Sequence, residues 1–426
     1  MRVAFVLGTT SGGTGRHVRM LAEGLVRRGH RVVVLGPRSV EEQFSFAGVG
    51  ARFVEVAVSD RPHPGNDLRA VLAIRRLTRD ADVVHAHGLR AGALAALGAR
   101  GPWRVLAALG ERAGKRAPAA LRGRAGKKAP AASRGRGGRW ALPRSGPAGG
   151  ERVLVVTLHN ALTAGGFVGL VYRVLERIVA WRADHVLVVS PDLGERMAGL
   201  GARDVRLAVV PAPPLQPAKR TPQEVRDELG AGERPILLTI ARLAQQKGLE
   251  TLLDVAAGPW RQGDAALGGS EAAGVGGDKG TWPLFVVAGE GPLRAELERR
   301  IEREALPVRL LGNREDVPDL LGAATAVLTV ARWEGQPLSI REALMAGKPV
   351  IATAVGGIPE IVGEAGILVP YGDVQGLRAA VRTLLEGPRA AERLAEAAAR
   401  RGREMPDGDA AVESVLEVYG RSRSNG

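Results

Sequence analysis

Trp333-Glu-Gly-Gln-Pro-Leu-Ser-Ile-Arg-Glu342-Ala-Leu-Met-Ala-Gly347-Lys-Pro-Val-Ile-Ala352 follows the apolar run Ala326–Val330 and carries the chain into a second one, Val350–Ala352. Apolar runs this short read as strands buried on both faces, and the stretch between them passes from a loop into a helix. Strand, helix and strand in alternation is the pattern of a parallel sheet covered by helices. It extends in both directions. Upstream, Pro235–Ile240, Leu284–Ala288 and Val308–Leu311 read as strands, with helices over Glu250–Ala257, Pro292–Glu304 and Asp316–Leu321. Downstream, Ile367–Val369 is a strand, and Leu377–Leu385 and Ala390–Arg401 are helices.

A similar unit occupies the first half. Arg2–Leu7 is a strand, and Gly8-Thr-Thr-Ser-Gly12-Gly13-Thr-Gly15 is a turn leading into a helix marked by Val18, Leu21 and Leu25. Strands are expected at Arg31–Leu35, Val54–Val58, Asp82–His85, Val153–His159, Asp184–Ser190 and Val205–Val210. The predicted fold is α/β, with two doubly wound Rossmann-like domains facing across a cleft. The first spans residues 1–210, a Pro-rich linker 211–223, the second domain 224–390, and C-terminal helices and a tail 391–426, with the tail expected to pack back on the first domain. In such sheets ligands bind outside the carboxyl ends of the strands, which here places the site between the two domains.

Two stretches interrupt the alternation. Residues 107–150 are rich in Ala, Gly, Arg, Lys and Pro and have no period that would bury a face, so they read as a disordered basic insertion. Within it, Ala113–Arg124 and Ala125–Arg136 agree at 10 of 12 positions, a tandem repeat. Residues 258–282 are a Gly-rich insertion. The net charge of +15 invites a nucleic-acid reading. However, Arg104 to Arg152 holds 13 basic and 2 acidic residues, a net of +11, leaving +4 for the rest of the chain. The charge therefore belongs to one segment, either a solvated loop or an arm for anionic lipid headgroups, with nucleic acid the less favoured partner. There is no cysteine, which excludes disulfides, thiolate metal sites and cysteine nucleophiles and agrees with a cytoplasmic location. The apolar run after Met1 is too short for a signal peptide or a membrane span.

Glu334 and Glu342 are eight residues apart, the first in the loop and the second in the helix. The loop and the helix N-terminus offer backbone N–H groups to a phosphate. The carboxylates are suited to accept from sugar and ribose hydroxyls. Taken alone, this is a capped amphipathic helix with solvated acids. Arg242 and Lys247, in Ala241-Arg-Leu-Ala-Gln-Gln-Lys247-Gly248, follow a buried strand and precede a helix. A planar fork and a point charge placed there fit a diphosphate, whereas either alone is a surface cation. His159 ends a strand on the cleft side and offers an imidazole to a sugar hydroxyl or a phosphate. His85 and His87 share one side of a strand end, with no third metal ligand in view.

Together these motifs resemble those of the retaining GT-B glycosyltransferases of family 4, the glycosyl transferases group 1. The spacing Glu334-x7-Glu342 matches that family's signature, and Arg242-x4-Lys247-Gly248 resembles its diphosphate clamp. Gly289-Glu-Gly-Pro-Leu293 and Val355-Gly356-Gly357-Ile-Pro-Glu360 resemble its later loops, and Thr9–Gly15 its N-terminal glycine-rich loop. The resemblance implies transfer of a hexose-type sugar from a UDP- or GDP-linked donor, with retention of configuration, to a lipid-linked or small-molecule acceptor, in the setting of cell-envelope glycan synthesis. It implies donor contacts from Gly12, Gly13, Gly15, Arg242, Lys247, Glu334, Gly335, Gln336, Pro337, Leu338, Ser339 and Glu342, and catalytic roles for His159, Glu334, Arg242 and Lys247. His85 and His87 fall on the acceptor side. No cofactor is expected. Asp80-Ala-Asp82 and Asp407-Gly-Asp409 lie away from the cleft, so no metal requirement is expected either. The location read is cytoplasmic, with peripheral contact at the inner face of an anionic membrane. Ala331 and Gln336 depart from the residues common in the family. Two rivals stand beside this reading: a nicotinamide-dependent oxidoreductase, although Gly12-Gly13-Thr-Gly15 departs from G-x-G-x-x-G, and a binding protein acting through the basic insertion.

Overall fold

The computed structural model describes residues 1–10, 12–58, 64–100, 152–160, 166–211, 214–260 and 282–424. The basic insertion with its tandem repeat, and the Gly-rich insertion apart from its flanks, lie outside the described residues.

Two parallel sheets organise the chain. The first contains β1 (Arg2–Leu7), β2 (Arg31–Gly36), β3 (Arg52–Glu55), β4 (Val83–His87), β5 (Val153–Leu158), β6 (His185–Val188) and β7 (Val205–Leu207), in the order β3-β2-β1-β4-β5-β6-β7. The second contains β8 (Ile236–Ile240), β9 (Leu284–Ala288), β10 (Val308–Gly312), β11 (Ala326–Thr329), β12 (Val350–Thr353) and β13 (Gly366–Val369), in the order β10-β9-β8-β11-β12-β13. Strands β1, β4, β5 and β9 are apolar along most of their length because helices cover both faces, leaving no solvent side to mark with alternating polar residues.

The boundaries differ from the sequence expectations in three places. β3 stops at Glu55 because Val58 N–H donates to Val56 O, a tight turn that takes the chain out of the ladder. The edge strand β7 ends at Leu207, short of Val210. The irregular segment expected over 211–223 ends at Thr221. There Thr221 and Glu224 form a reciprocal capping box, which starts the helix Pro222–Glu228 inside the expected linker.

The last helix, Gly408–Ser424, packs on helix Gly13–Arg27 of the first half. Val412, Val415 and Tyr419 enter the first half's core, and Arg28 pairs with Asp409 and Glu413. Among the described residues no helix is long and apolar enough to cross a membrane.

In each sheet the chain reverses its winding direction once, between β1 and β4 and between β8 and β11. These switch points open crevices at the carboxyl ends of the strands, where ligands bind in doubly wound folds. Gly12 follows β1 and His87 ends β4, while Arg242 follows β8 and Glu334 follows β11.

Candidate active site

At the second sheet's switch point, Lys247 closes a short 3-10 turn after β8, and its ammonium is ion-paired to the Glu334 carboxylate in the loop after β11. Gly248 follows at φ 62°, with its backbone against Val330: a Cβ there would lie 2.2 Å from Val330 O. Arg242 is exposed and has no side-chain partner among the described residues. Two motifs that are separate in the sequence form one platform. Gly357 N–H donates to Glu334 O at 2.9 Å, and a Cβ on Gly356, at φ 56°, would fall 1.8 Å from that same oxygen. The Val355–Glu360 turn thus supports the Glu334–Gly335 loop by direct backbone contact, which only glycine permits.

Helix Leu338–Met345 begins behind Pro337 with no side-chain cap, so its first N–H groups, including those of Leu338 and Ser339, point toward the crevice end without an intrahelical partner. Glu342 lies within this helix, half-buried. Burial pushes its carboxyl above the usual range, and the opposing field of Arg16 draws it back. Arg16 belongs to the first half, on the helix opened by the glycine turn, so the two halves meet electrostatically across the cleft. They also touch directly. Trp333 Nε1 donates to Asp192 at 2.8 Å, Gln336 Nε2 donates to Ala208 O at 2.8 Å, and Gly335 abuts Val189. The Gln336 oxygen accepts from Arg341 at 2.6 Å. The Gln336 amide thus bonds across to the first half through its nitrogen and to Arg341 of its own half through its oxygen, so both ends are engaged.

At the first sheet's switch point, Gly12 sits at φ 77° as the helix cap, and neither Gly12 nor Gly13 has an atom near the place a Cβ would occupy. Gly15 is different: a Cβ would lie 2.1 Å from the Phe44 ring, so its small size serves packing inside the half. His87 Nδ1 and His159 Nε2 are 3.0 Å apart, one nitrogen donating to the other, and the His17 ring lies 5.9 Å from both rings. Burial lowers His159 to about 4 and, with His159 adding to it, His17 to about 3; burial also holds His85 and His87 well below the ordinary value. All four imidazoles are neutral at pH 7. His85, expected on the acceptor side, is corrected by its contacts. It is fully buried, with Nδ1 at 2.7 Å from Tyr419 Oη and Nε2 at 2.7 Å from Thr157 Oγ1, so both ring nitrogens are used inside the fold. Among the described residues no group of three or more His, Cys, Asp or Glu is arranged to hold a metal ion.

Residues 12–213 match the family described as "Glycosyl transferase 4-like domain", and residues 222–401 match "Glycosyl transferases group 1". The chain is a group 1 glycosyltransferase of the GT-B fold. The glycosyltransferase is 29% identical over 266 residues to an alpha-D-kanosaminyltransferase of Streptomyces kanamyceticus, covering 58% of this chain and 64% of that protein. It is 27% identical to a glycogen synthase of Mycobacterium tuberculosis, covering 96% of this chain and 91% of that protein. Among solved structures, Anabaena HepE in complex with UDP superposes with a TM-score of 0.70 at 18% identity, over 99% of this chain and 100% of that one. The family assignment sets aside the nicotinamide-dependent alternative.

Sequence reasoning missed Arg16 and His17. Both follow the glycine turn in Gly15-Arg16-His17-Val18, where they read as the edge of an amphipathic helix. The available signal was position: they open the helix that begins at a switch-point loop.

Proposed function

We propose that this glycosyltransferase moves a hexose-type sugar from a UDP- or GDP-linked donor to an acceptor, with retention of anomeric configuration and without a metal ion. The observation that carries this reading is the convergence of Arg242, Lys247, the uncapped helix Leu338–Met345 and half-buried Glu342 at one switch point. The solved HepE structures, of similar fold, contain UDP and UDP-glucose, which supports a nucleotide-linked donor.

In this reading Glu342 accepts from the ribose hydroxyls. Arg242, Lys247 and the helix N–H groups neutralise the diphosphate as its charge grows on departure. Glu334, held by Lys247, accepts from a hydroxyl of the transferred sugar, and His159 donates to that sugar or to the phosphate. The bond between the anomeric carbon and the phosphate oxygen loosens, the acceptor oxygen attacks from the same face, and the departing phosphate takes the acceptor's proton. Positive charge from side chains and a helix end performs the work that a cation performs elsewhere. The acceptor is lipid-linked or a small molecule, met in the cytoplasm or at the inner membrane face.

A donor screen reading release of free nucleoside diphosphate tests the reading. UDP- or GDP-sugars should be consumed with chelator present, and NMR of the product should show the donor's anomeric configuration. No release from any nucleotide sugar overturns the donor assignment. Activity lost in chelator and restored by Mg²⁺ overturns the metal-free mechanism.

A further inference from the structure

We propose that one helical face of the first half is a docking surface for an anionic lipid bilayer. On helix Gly166–Arg182, Leu170, Arg173, Val174, Arg177 and Trp181 are all exposed, and at 100° per residue they fall within one narrow arc. Leu170 and Val174 are each 52% exposed and Trp181 48%, and it is their grouping on one face, not the exposure of any one of them, that marks an interaction surface. Leu68, Leu72, Arg75 and Arg76 form a second such stripe on helix Pro64–Leu77. Five of the seven large apolar side chains exposed among the described residues lie on these two helices.

The two stripes face the same way. Each of these helices packs against helix Leu89–Arg100, which lies between them. The connections from β3 to β4, β4 to β5 and β5 to β6 all wind in one direction along the sheet, and right-handed crossovers then put all three helices on one side. The stripes are two helix spacings apart, roughly 16–20 Å. A single peptide helix in a groove does not span that distance, whereas a flat surface meets both stripes at once.

Charge selects the surface. Arg75, Arg76, Arg173 and Arg177 have no ion-pair partner among the described residues. The acids of the two helices are already engaged: Glu176 is buried against Arg196, and Asp67 pairs with Arg90. Apolar side chains interleaved with unpaired arginines, and a tryptophan at the end, match the interface between headgroups and acyl chains. Trp181 donates its indole N–H to Leu200 O, which fixes the ring in place. The surface is separate from the cleft residues and does not depend on which sugar is transferred.

Flotation of the full chain with phosphatidylcholine vesicles, with and without phosphatidylglycerol, tests this. The chain should float with anionic vesicles only, and added salt should release it. R173Q/R177Q should weaken partitioning by roughly fivefold for each arginine removed, and L170S/V174S should weaken it comparably. Both variants should keep the wild-type melting temperature and nucleoside diphosphate release, which separates a failure here from a failure of the proposed activity. Flotation of both variants at the wild-type level overturns the proposal. So does loss of flotation on deleting residues 110–148 alone, which assigns binding to the insertion. Retention on nucleic acid without flotation also overturns it.

Discussion

The Lys247 ammonium and the Glu334 carboxylate are ion-paired although 87 residues separate them in sequence. The carboxylate is nearly buried, so each group is the other's main source of compensation. Lys247→Met should leave Glu334 uncompensated and lower stability by roughly 1–3 kcal/mol. In K247M/E334Q the second change should recover part of that loss, giving a non-additive cycle. Each single variant should lower transfer by about 100-fold or more, because a group aimed at developing charge is lost or misplaced. Urea unfolding and nucleoside diphosphate release measure the two effects. Strictly additive stability losses would show that the pair is incidental.

Arg242 presents the opposite case. It is exposed and without a side-chain partner among the described residues, so Arg242→Ala should leave stability within about 0.5 kcal/mol. Transfer should still fall by about 100- to 1,000-fold if the guanidinium neutralises the leaving diphosphate. Arg242→Lys keeps the charge but loses the planar fork, and should fall between. Wild-type turnover in Arg242→Ala would remove this residue from the site.

Much of this arrangement was visible in the sequence, and the reasons for what was not are physical. Strands such as β1 and β9 were legible because a parallel sheet buried on both faces demands uninterrupted apolar runs. The end of β3 was not, since a local turn decided it, and the edge strand β7 stops earlier than its apolar run. The spacing of Glu334 and Glu342 marked a site, but nothing in it said that Gly356 and Gly357 lie under Glu334, a contact made between backbones. Nor does a histidine in a strand reveal its partners. In the sequence His85 reads as a group for the acceptor, whereas in the fold its ring is bonded by Tyr419, 334 residues away.

The glycine platform predicts a sharp contrast. Gly356→Ala places a methyl 1.8 Å from Glu334 O, against backbone that has no rotamer to escape through. It should cost more than about 2 kcal/mol and displace the Glu334 loop, lowering transfer in parallel. Gly29, also at positive φ but with nothing within 4 Å, should tolerate alanine at about 1 kcal/mol with normal turnover. Thermal unfolding and donor kinetics distinguish the two, and equal effects would contradict the platform.

Glu342 gives the proposed activity a pH dependence. Burial raises its carboxyl above the usual range, so the ionised form that accepts from ribose is lost as pH falls through that raised value. Donor KM should therefore rise on the acid side at a higher pH than an exposed glutamate gives. Arg16 opposes the shift, so Arg16→Ala should move the acid limb of the KM profile further up. An unmoved limb would show that the two halves are not electrostatically coupled at this point.

The histidine cluster makes a prediction about stability instead of turnover. His17 falls from an ordinary 6.5 to about 3 in the folded chain, chiefly through burial. Between those values the unfolded chain binds a proton that the folded chain does not. Stability therefore rises with pH across that window and is flat above it, with a slope of about 1.4 kcal/mol per pH unit for one such histidine. From pH 7 to pH 5 this amounts to about 2 kcal/mol lost from His17 alone. His87 and His159 steepen the fall, because their imidazoles are lowered in the same direction. Urea midpoints taken at pH 7, 6 and 5 should decrease in that order, and His17→Gln, which carries no titrating ring, should show a shallower decline. Parallel declines in the variant and the wild type would mean that another group governs acid unfolding and that His17 is not the buried neutral imidazole its surroundings require.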